Sequence, residues 1–388
     1  MSATFFTLDE LGLQSGDGSH EVSVCADDEF ATEPCVLEIN ELATLAELQP
    51  LWRELLDKTP QPAFSQTFEW LQLYLQHFGD QQRLRVLCLD EEGETAGLTV
   101  LVERNVRGQH ELTLPSVGGE TLWPLGAKPA EQWHAVAKHL RTELARKHVL
   151  DLRGLPDPQG KINSALHAAE VNVQSQPWSS TTTLRVAENF ESFWSQVSES
   201  VRHRVELGEQ RLATFGPMNF VRVRPQGTDR TGPHFSDELY QDCLNIALND
   251  EQQLSRADSV LNAPERHSFL RDLLPWAWRH SAADLCFLLS GARPIAFRFH
   301  TLEFGHLRTI WSGVDAEFRQ LPLAALLLFR TLRDSWQRGD VELDLGPTRA
   351  DVARDWLGTL TPLRRFIVGA SAVTSSVQQP EEMNSYGV

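Results

Sequence analysis

DLCFLLSGARPIAFRFHTLEFGHLRTIWS, residues 284–312, reads as three strands joined by two tight turns. Its runs DLCFLLS (284–290), PIAFRFHT (294–301) and HLRTIWS (306–312) have strand length and are rich in apolar residues, and SGARP marks the first hairpin. A long apolar helix fits 321–338, and VELDLG (341–346) reads as the next strand. Earlier in the chain the same order occurs. RLRVLCL (83–89), AGLTVLVE (96–103) and HELTL (110–114) read as strands, with EEGE (91–94) as the hairpin turn. A helix over 130–147, on Trp133, Val136, Leu140 and Leu144, then leads into HVLDLRG (148–154). Small residues open the second strand of each set (Ala96-Gly97; Ile295-Ala296). Gly93 to Asp151 spans 58 residues and Gly291 to Asp344 spans 53. The chain therefore contains an internal repeat of one strand-and-helix unit.

Around this repeat, helices fit 41–57 (Leu42, Leu45, Leu48, Trp52, Leu55) and 66–78 (Phe68, Leu71, Leu75, Phe78). Another fits 265–280, where Pro275 must kink or divide it. LPDPQG (155–160) is a Pro/Gly-rich break. A helix over 190–215 carries Arg202, His203, Arg204 and Arg211, with NFVRVRP as the strand after it. Residues 1–34 form an aperiodic acidic stretch expected to be disordered, as does 374–388. The expected units are 35–188 and 189–373.

A net charge of −18 over 388 residues argues against nucleic acid or an anionic membrane as main partner. The five cysteines, Cys25, Cys35, Cys88, Cys243 and Cys286, form no CxxC pair and are odd in number. Neither a disulfide framework nor a zinc site is expected, and the reducing cytoplasm fits. The start lacks the basic and apolar regions of a signal peptide, and no run is long enough to span a bilayer. LPLAALLLF (321–329) reads as a buried helix.

GxGxxG after a strand, Walker A, HExxH and GxSxG are absent, and the histidines show no metal-ligand spacing. What remains is the strand–turn–helix junction DAEFRQLPLAALLL (315–328), with Arg319 and Gln320 just before the helix and Pro322 in its first turn. A helix start exposes unpaired N–H groups and the positive end of the dipole, so with an Arg beside it, it can hold a pyrophosphate. A plain, solvated helix start is the competing reading.

The repeat and this junction resemble the GNAT superfamily of acyl-CoA transferases. That family's loop reads Gln/Arg-x-x-Gly-x-Gly/Ala; Arg319 to Ala324 matches its first and last positions, with Pro322 in place of the Gly. The chain is more closely similar to CelD-like (BcsL-type) acetyltransferases of bacterial cellulose and exopolysaccharide formation. Fem-type aminoacyltransferases likewise carry two GNAT-like units. The likeness runs over 36–372, through FSQTFEWLQLYLQHFG (64–79), GETAGLTVLV (93–102), LDLRGLPDPQGKINSAL (150–166), FWSQVSESVRHRVELGEQRLATFG (193–216), ARPIAFRFH (292–300) and GDVELDLGP (339–347). Two departures stand out. Leu321-Pro322-Leu323 replaces Ser-Pro-Gly, and Ala353-Arg354 stands where relatives have Tyr-Lys.

The resemblance implies an α/β fold of two tandem GNAT-like units, with mixed, mostly antiparallel sheets flanked by helices. It implies transfer of an acyl group from acetyl-CoA, without a metal, to an amine or hydroxyl on a small or saccharide-type acceptor. Such a site needs a base, oxyanion donors and an acid for the thiolate. Asp344, at the end of a strand, is a candidate base or positioning group, and its plain role is to cap the next turn. Glu303 and His306 flank a hairpin and are further candidate bases; Arg354 keeps the charge of the missing Lys. Arg319, Gln320, Leu321, Leu323 and Ala324 are the expected cofactor contacts. Arg202 and Arg204 are candidates for a phosphate-bearing acceptor, against a solvated face paired with Glu199, Glu206 and Glu209. Asp315 flanks the cofactor loop or caps it. Trp70, Trp123 and Trp311 are sugar-stacking or core residues, and Asp151 mirrors Asp344 in a structural role. A Fem-type aminoacyltransferase and a non-catalytic scaffold with a degenerate GNAT site are the alternatives.

Overall fold

The computed structural model describes residues 35–106, 108–117, 120–186, 189–225, 237–250 and 264–369; the tails expected at 1–34 and 374–388 lie outside them. In chain order the first half comprises β1 (Cys35–Ile39), α1 (Leu42–Glu47), α2 (Gln49–Lys58), α3 (Phe68–Phe78), β2 (Arg83–Glu91), β3 (Glu94–Val106) and β4 (Gln109–Thr113). It continues through β5 (Ser116–Val117), β6 (Glu120–Thr121), α4 (Pro129–His139), α5 (Arg141–Leu144), β7 (His148–Pro156), α6 (Lys161–Ala168) and β8 (Val173–Arg185). Next come α7 (Phe190–Gln196), α8 (Glu199–Leu212), β9 (Met218–Val223), α9 (Asp237–Asn249), α10 (Pro264–Arg279), β10 (Ala283–Ser290), β11 (Arg293–Glu303) and β12 (His306–Val314). The last elements are α11 (Leu323–Arg338), β13 (Glu342–Pro347), α12 (Ala350–Asp355) and β14 (Thr359–Val368).

Among the described residues a 12-stranded sheet runs β1-β2-β3-β4-β7-β14-β8-β13-β12-β11-β10-β9. Most pairs are antiparallel; β4–β7 and β12–β13 are parallel. The expected mixed, mostly antiparallel α/β architecture is present, as one continuous sheet. The halves exchange their last strands. β14, from the end of the chain, pairs with β7 of the first half, and β8 pairs with β13 of the second. β14 and β8 then pair with each other at the centre, from Thr359↔Thr183 to Val368↔Val173.

One face of the sheet carries a core shared by both halves. Trp52 of α2 and Trp70 and Leu71 of α3 pack with Phe269 and Leu273 of α10. Trp70 meets the Phe269 ring edge-on at 5.9 Å. The other face carries separate cores, one under α4 (Trp133, Leu140, Leu150) and one under α8 and α11 (Val201, Leu326, Leu343). Beneath α11 lies Arg222, its side chain 1 % exposed, which bonds Asp284, Asp334 and Asp340.

Several elements depart from the sequence reading. The helix expected over 41–57 is two helices, α1 and α2, and that expected over 130–147 is interrupted at Leu140, between α4 and α5. α7 and α8 divide the 190–215 segment, because Ser198 leaves helical geometry and caps α8 by accepting from the Val201 N–H. Pro275 does not divide α10, which is continuous with Leu273, Leu274 and Ala277 buried on both sides of it; burial of both turns offsets the hydrogen bond that proline omits. Pro322 is the N-cap of α11 and not part of its first turn. β1, β5, β6, β8, β14, α6, α9 and α12 were not expected. VQSQPWSSTTTLR, the β8 segment, is polar and contains a proline, so it lacks strand patterning.

Candidate functional site

The site begins at the hairpin between β11 and β12, where Glu303 faces His306 and Thr301 faces Arg308. Phe304 (φ 47°) and Gly305 (φ 82°) make the turn in left-handed backbone. β12 then runs parallel to β13 for three pairs only: His306↔Glu342, Leu307↔Leu343 and Arg308↔Asp344. Beyond these the two strands part. Where they part, β12 has a bulge, with Phe299 opposite Trp311 and His300 opposite Thr309, so that Ile310 is the extra residue. Bulges redirect side chains and end pairing beside active sites. Paired residues project from the same face, and side chains alternate along a strand. Thr301, Glu303, His306, Arg308, Glu342 and Asp344 therefore share one face, joined by Thr183 and Thr181 of β8.

The first half of the chain closes over this face. Gln61, Ala63, Phe64 and Trp123 line a cleft with Arg308 and Asp344, of about 60 Å³. That is room for a few waters or a small polar group.

Asp344 Oδ1 accepts from Thr181 Oγ1 at 2.5 Å and from the Gly346 N–H at 2.8 Å. It thus caps its turn and lines the cleft at once. Arg308 Nη1 lies 3.9 Å from Asp344 Oδ2, and Nε lies 2.6 Å from Glu120 Oε1. The Arg308 guanidinium also sits over the Trp123 ring at 4.7 Å. Glu120 is 2 % exposed. Burial raises its pKa, Arg308 opposes that and Asp344 adds to it. The buried hydroxyl of Thr301 has no partner. His306 Nδ1 lies 2.9 Å from Glu342 Oε1, and Gln61 Nε2 donates to Glu342 Oε2 at 3.4 Å. Glu303 is pushed up to about 7, chiefly by burial, with Glu69 and Asp57 adding to the rise and Arg53 opposing it.

Three sequence candidates, Asp344, Glu303 and His306, thus meet on one face. At the α11 start, Leu321 and Leu323 are buried, while Arg319 and Gln320 are exposed and Ala324 is half-buried. Arg319 reaches Asp250 at 3.4 Å, and Gln320 donates to the Glu317 carbonyl. α8 lies against this start: a Cβ added to Gly208 would be 3.5 Å from Pro322 Cγ. Asp315 caps the turn before α11 through the Glu317 N–H and binds Arg293. Trp311 is a core residue, edge-on to Phe297 at 4.9 Å. Arg354 is 75 % exposed beside Asp355 and does not line the cleft. Arg202 and Arg204 flank opposite sides of the buried stripe of α8 and do not line it either. Glu209 bonds Arg330, and the Nε atoms of Arg202 and Arg204 have no partner. Asp151 binds Arg153 and Arg365.

Glu120, Thr181, Thr301, Arg308 and Glu342 escaped the sequence reading. Period-two alternation from His306 and Asp344 points to Arg308 and Glu342. Nothing in the local sequence marks Glu120 or Thr181, which come from the other half.

Residues 199–354 match a family model described as an acetyltransferase (GNAT) domain. No curated protein matches the chain in sequence. Among solved structures, the chain is similar to a conserved protein of unknown function from Bacteroides thetaiotaomicron, at 9% identity and TM-score 0.52 over 85% of this chain and 98% of that one. The structure of L-PGS from Bacillus licheniformis matches at 10% identity and TM-score 0.50, over 78% of this chain and 92% of that one. The C-terminal domain of a putative lysylphosphatidylglycerol synthetase from Agrobacterium fabrum matches at 8% identity and TM-score 0.50, over 84% and 93%. At these identities the likeness is one of fold alone. No helix among the described residues is long and apolar enough to cross a membrane.

Proposed function

We propose that the GNAT-type segment, residues 199–354, moves an acyl group from acyl-CoA, with acetyl-CoA the first donor to test, to an amine held in the cleft beneath Trp123. The observation that carries this reading is the parting of β12 and β13 after three pairs, beside a face bearing Glu303, His306, Arg308 and Asp344. An opening between parallel strands that leads to a helix start is a natural ligand channel in α/β sheets.

The groups that would hold the co-substrate are Arg319, Gln320 and the first-turn N–H groups of α11 from Ala324 onward; those of Leu321 and Leu323 already donate to the Phe318 and Leu321 carbonyls. Leu321 and Leu323 turn inward and only support the loop. When bound, the co-substrate supplies a thioester carbonyl open to attack by an amine. Glu303 stands opposite His306 at the hairpin and does not itself line the cleft; at about 7 it is matched to take a proton at neutral pH relayed through water. Glu342 fixes the orientation of the His306 ring. Asp344 and Arg308 orient the acceptor, and the free Thr301 hydroxyl offers it a hydrogen bond.

Glu342 and Asp344 line the cleft with Arg308, whose guanidinium is already engaged by Glu120. This favours a cationic amine over a phosphorylated acceptor. An amino sugar, of which only the amino group would enter the cleft, is the acceptor class we favour, in keeping with the CelD-like resemblance and exopolysaccharide formation. Arg202, Arg204 and Arg354 then play no part in acceptor binding. Reduced, buried Cys88, Cys243 and Cys286 suit a cytoplasmic enzyme. A non-catalytic binding role is the second reading, favoured by Leu321-Pro322-Leu323 in place of a glycine-bearing loop.

The test is thermal shift with acetyl-CoA together with CoA release on a panel of amines. Stabilisation by acetyl-CoA that is lost in Arg319→Ala, with CoA release lost in Glu303→Gln, supports the enzyme. Stabilisation without CoA release on any amine supports the binding role. No stabilisation at millimolar acetyl-CoA removes the acyl-CoA reading.

A further inference from the structure

Two groups of His, Cys, Asp and Glu among the described residues bring three ligand atoms within 4.8 Å of one another. Asp284, Cys286 and His300 make the first, but Arg222 and Arg224 already bond Asp284 there, and the group is buried. A cation has neither charge to meet nor a way in.

The second group lies on the first half's sheet, on the face opposite the cleft. Glu103 of β3, His110 of β4 and His148 of β7 come from three adjacent strands. His110 and His148 are direct partners in the parallel β4–β7 pair, so their rings project together. The rings stack at 4.7 Å with 25° between planes. Glu103 Oε1 lies 2.6 Å from His110 Nδ1 and 3.5 Å from His148 Nε2. Neighbouring Arg85 is engaged elsewhere, with Nε on Glu38 and Nη1 on Glu143, both at 2.7 Å, and it lies 4.0 Å from Glu103 Oε2. The Oε1 edge of Glu103 therefore faces the imidazoles. None of the three residues is fully buried, so an ion has access from solvent.

We propose that Glu103, His110 and His148 form a divalent transition-metal site with a two-imidazole, one-carboxylate donor set, taking Zn²⁺ in preference to Mg²⁺ or Ca²⁺. Imidazole nitrogen suits Zn²⁺, whereas the harder ions take oxygen ligands. Three protein ligands leave a fourth position for water or for Glu143 Oε2, 3.5 Å from His148 Nε2. β-strands hold the donors rigidly, and the bound ion ties β3, β4 and β7 together.

The test uses tag-free, chelator-treated full-length protein, titrated with Zn²⁺ against a chromophoric chelator and with Co²⁺ by visible absorption. The proposal expects one equivalent of Zn²⁺, a Co²⁺ d–d band, and a rise in melting temperature that Mg²⁺ and Ca²⁺ do not give. His110→Ala and His148→Ala should abolish the tight equivalent, and Glu103→Gln should weaken it by about 10-fold or more. His134→Ala, outside the group, should leave it unchanged. Melting in chelator alone identifies any variant that fails to fold, and for such a variant His→Asn at the same position replaces Ala. Absence of a stoichiometric Zn²⁺ equivalent in the wild type, or its survival in the His110/His148 double variant, overturns the proposal. Neither outcome bears on acyl transfer, which is read in the cleft on the other face.

Discussion

Thr181 donates its hydroxyl to the Asp344 carboxylate at 2.5 Å, across 163 residues of sequence. Asp344 belongs to the second half and Thr181 to β8, the strand the first half lends it. The equivalent bond in the other half joins Asp151 to Arg365 of β14 at 2.7 Å. Each unit's strand-end aspartate is thus held by the exchanged strand. In one half the aspartate borders an open cleft. In the other, two arginines cover it, and Asp151 is 3 % exposed.

Asp344→Asn keeps an oxygen for Thr181 and Gly346 but removes the charge beside Arg308. We expect near-wild-type melting and a fall in kcat/KM of about 10²-fold. Thr181→Val should cost about 10-fold, since it frees the carboxylate without removing it. CoA-release kinetics check both, and an unchanged Asp344→Asn would take that residue out of the chemistry.

Glu303 gives a pH dependence of defined sign. Its folded-state pKa, about 7, lies above the ordinary 4.5. Activity that needs the carboxylate should rise as pH passes through about 7, and Glu303→Gln should lose that limb. Stability runs the other way. The buried neutral acid is favoured, so the stability associated with it is full below pH 4.5 and lost as pH rises to about 7. At pH 8, Glu303→Gln should therefore be more stable than wild type by about 1–3 kcal/mol, and at pH 4 the two should match. Denaturant melts at both pH values provide the measurement.

Ending the chain at Leu357 removes β14. Because β14 lies between β7 and β8, its loss exposes strand edges in both halves. We expect both halves to lose cooperative unfolding together. Circular dichroism and limited proteolysis should show no protected first-half fragment; a fragment of about 35–168 that melts normally would argue against this.

Asp284 is buried against Arg222 and Arg224. Burial alone would raise its pKa, but the two guanidiniums hold it below the usual carboxylate range. Its contribution is present above the ordinary pKa of 3.8 and is lost as pH falls below it. Arg222→Met strands Asp284 and Asp340 with only Arg224, and should cost about 3–5 kcal/mol by urea denaturation. A loss under about 1 kcal/mol would mean that water reaches the network.

The repeat was legible because its physics is local. Apolar strand runs, the Gly93 and Gly291 turns and the apolar stripe of α11 each announce themselves within a few residues. From them come the α/β class, the order of elements, and Glu303, His306 and Asp344 as candidates. Strand exchange was not legible. β8 and β14 carry prolines and many polar or charged residues, and become strands only because neighbours from the other half satisfy their backbone groups. The same long-range pairing brings Thr181 to Asp344, while packing of the β5–β6 hairpin against the second half brings Glu120 to Arg308. Sequence order held the list of chemical groups; tertiary pairing decided which of them meet, because a contact across 163 residues leaves no periodicity in the chain.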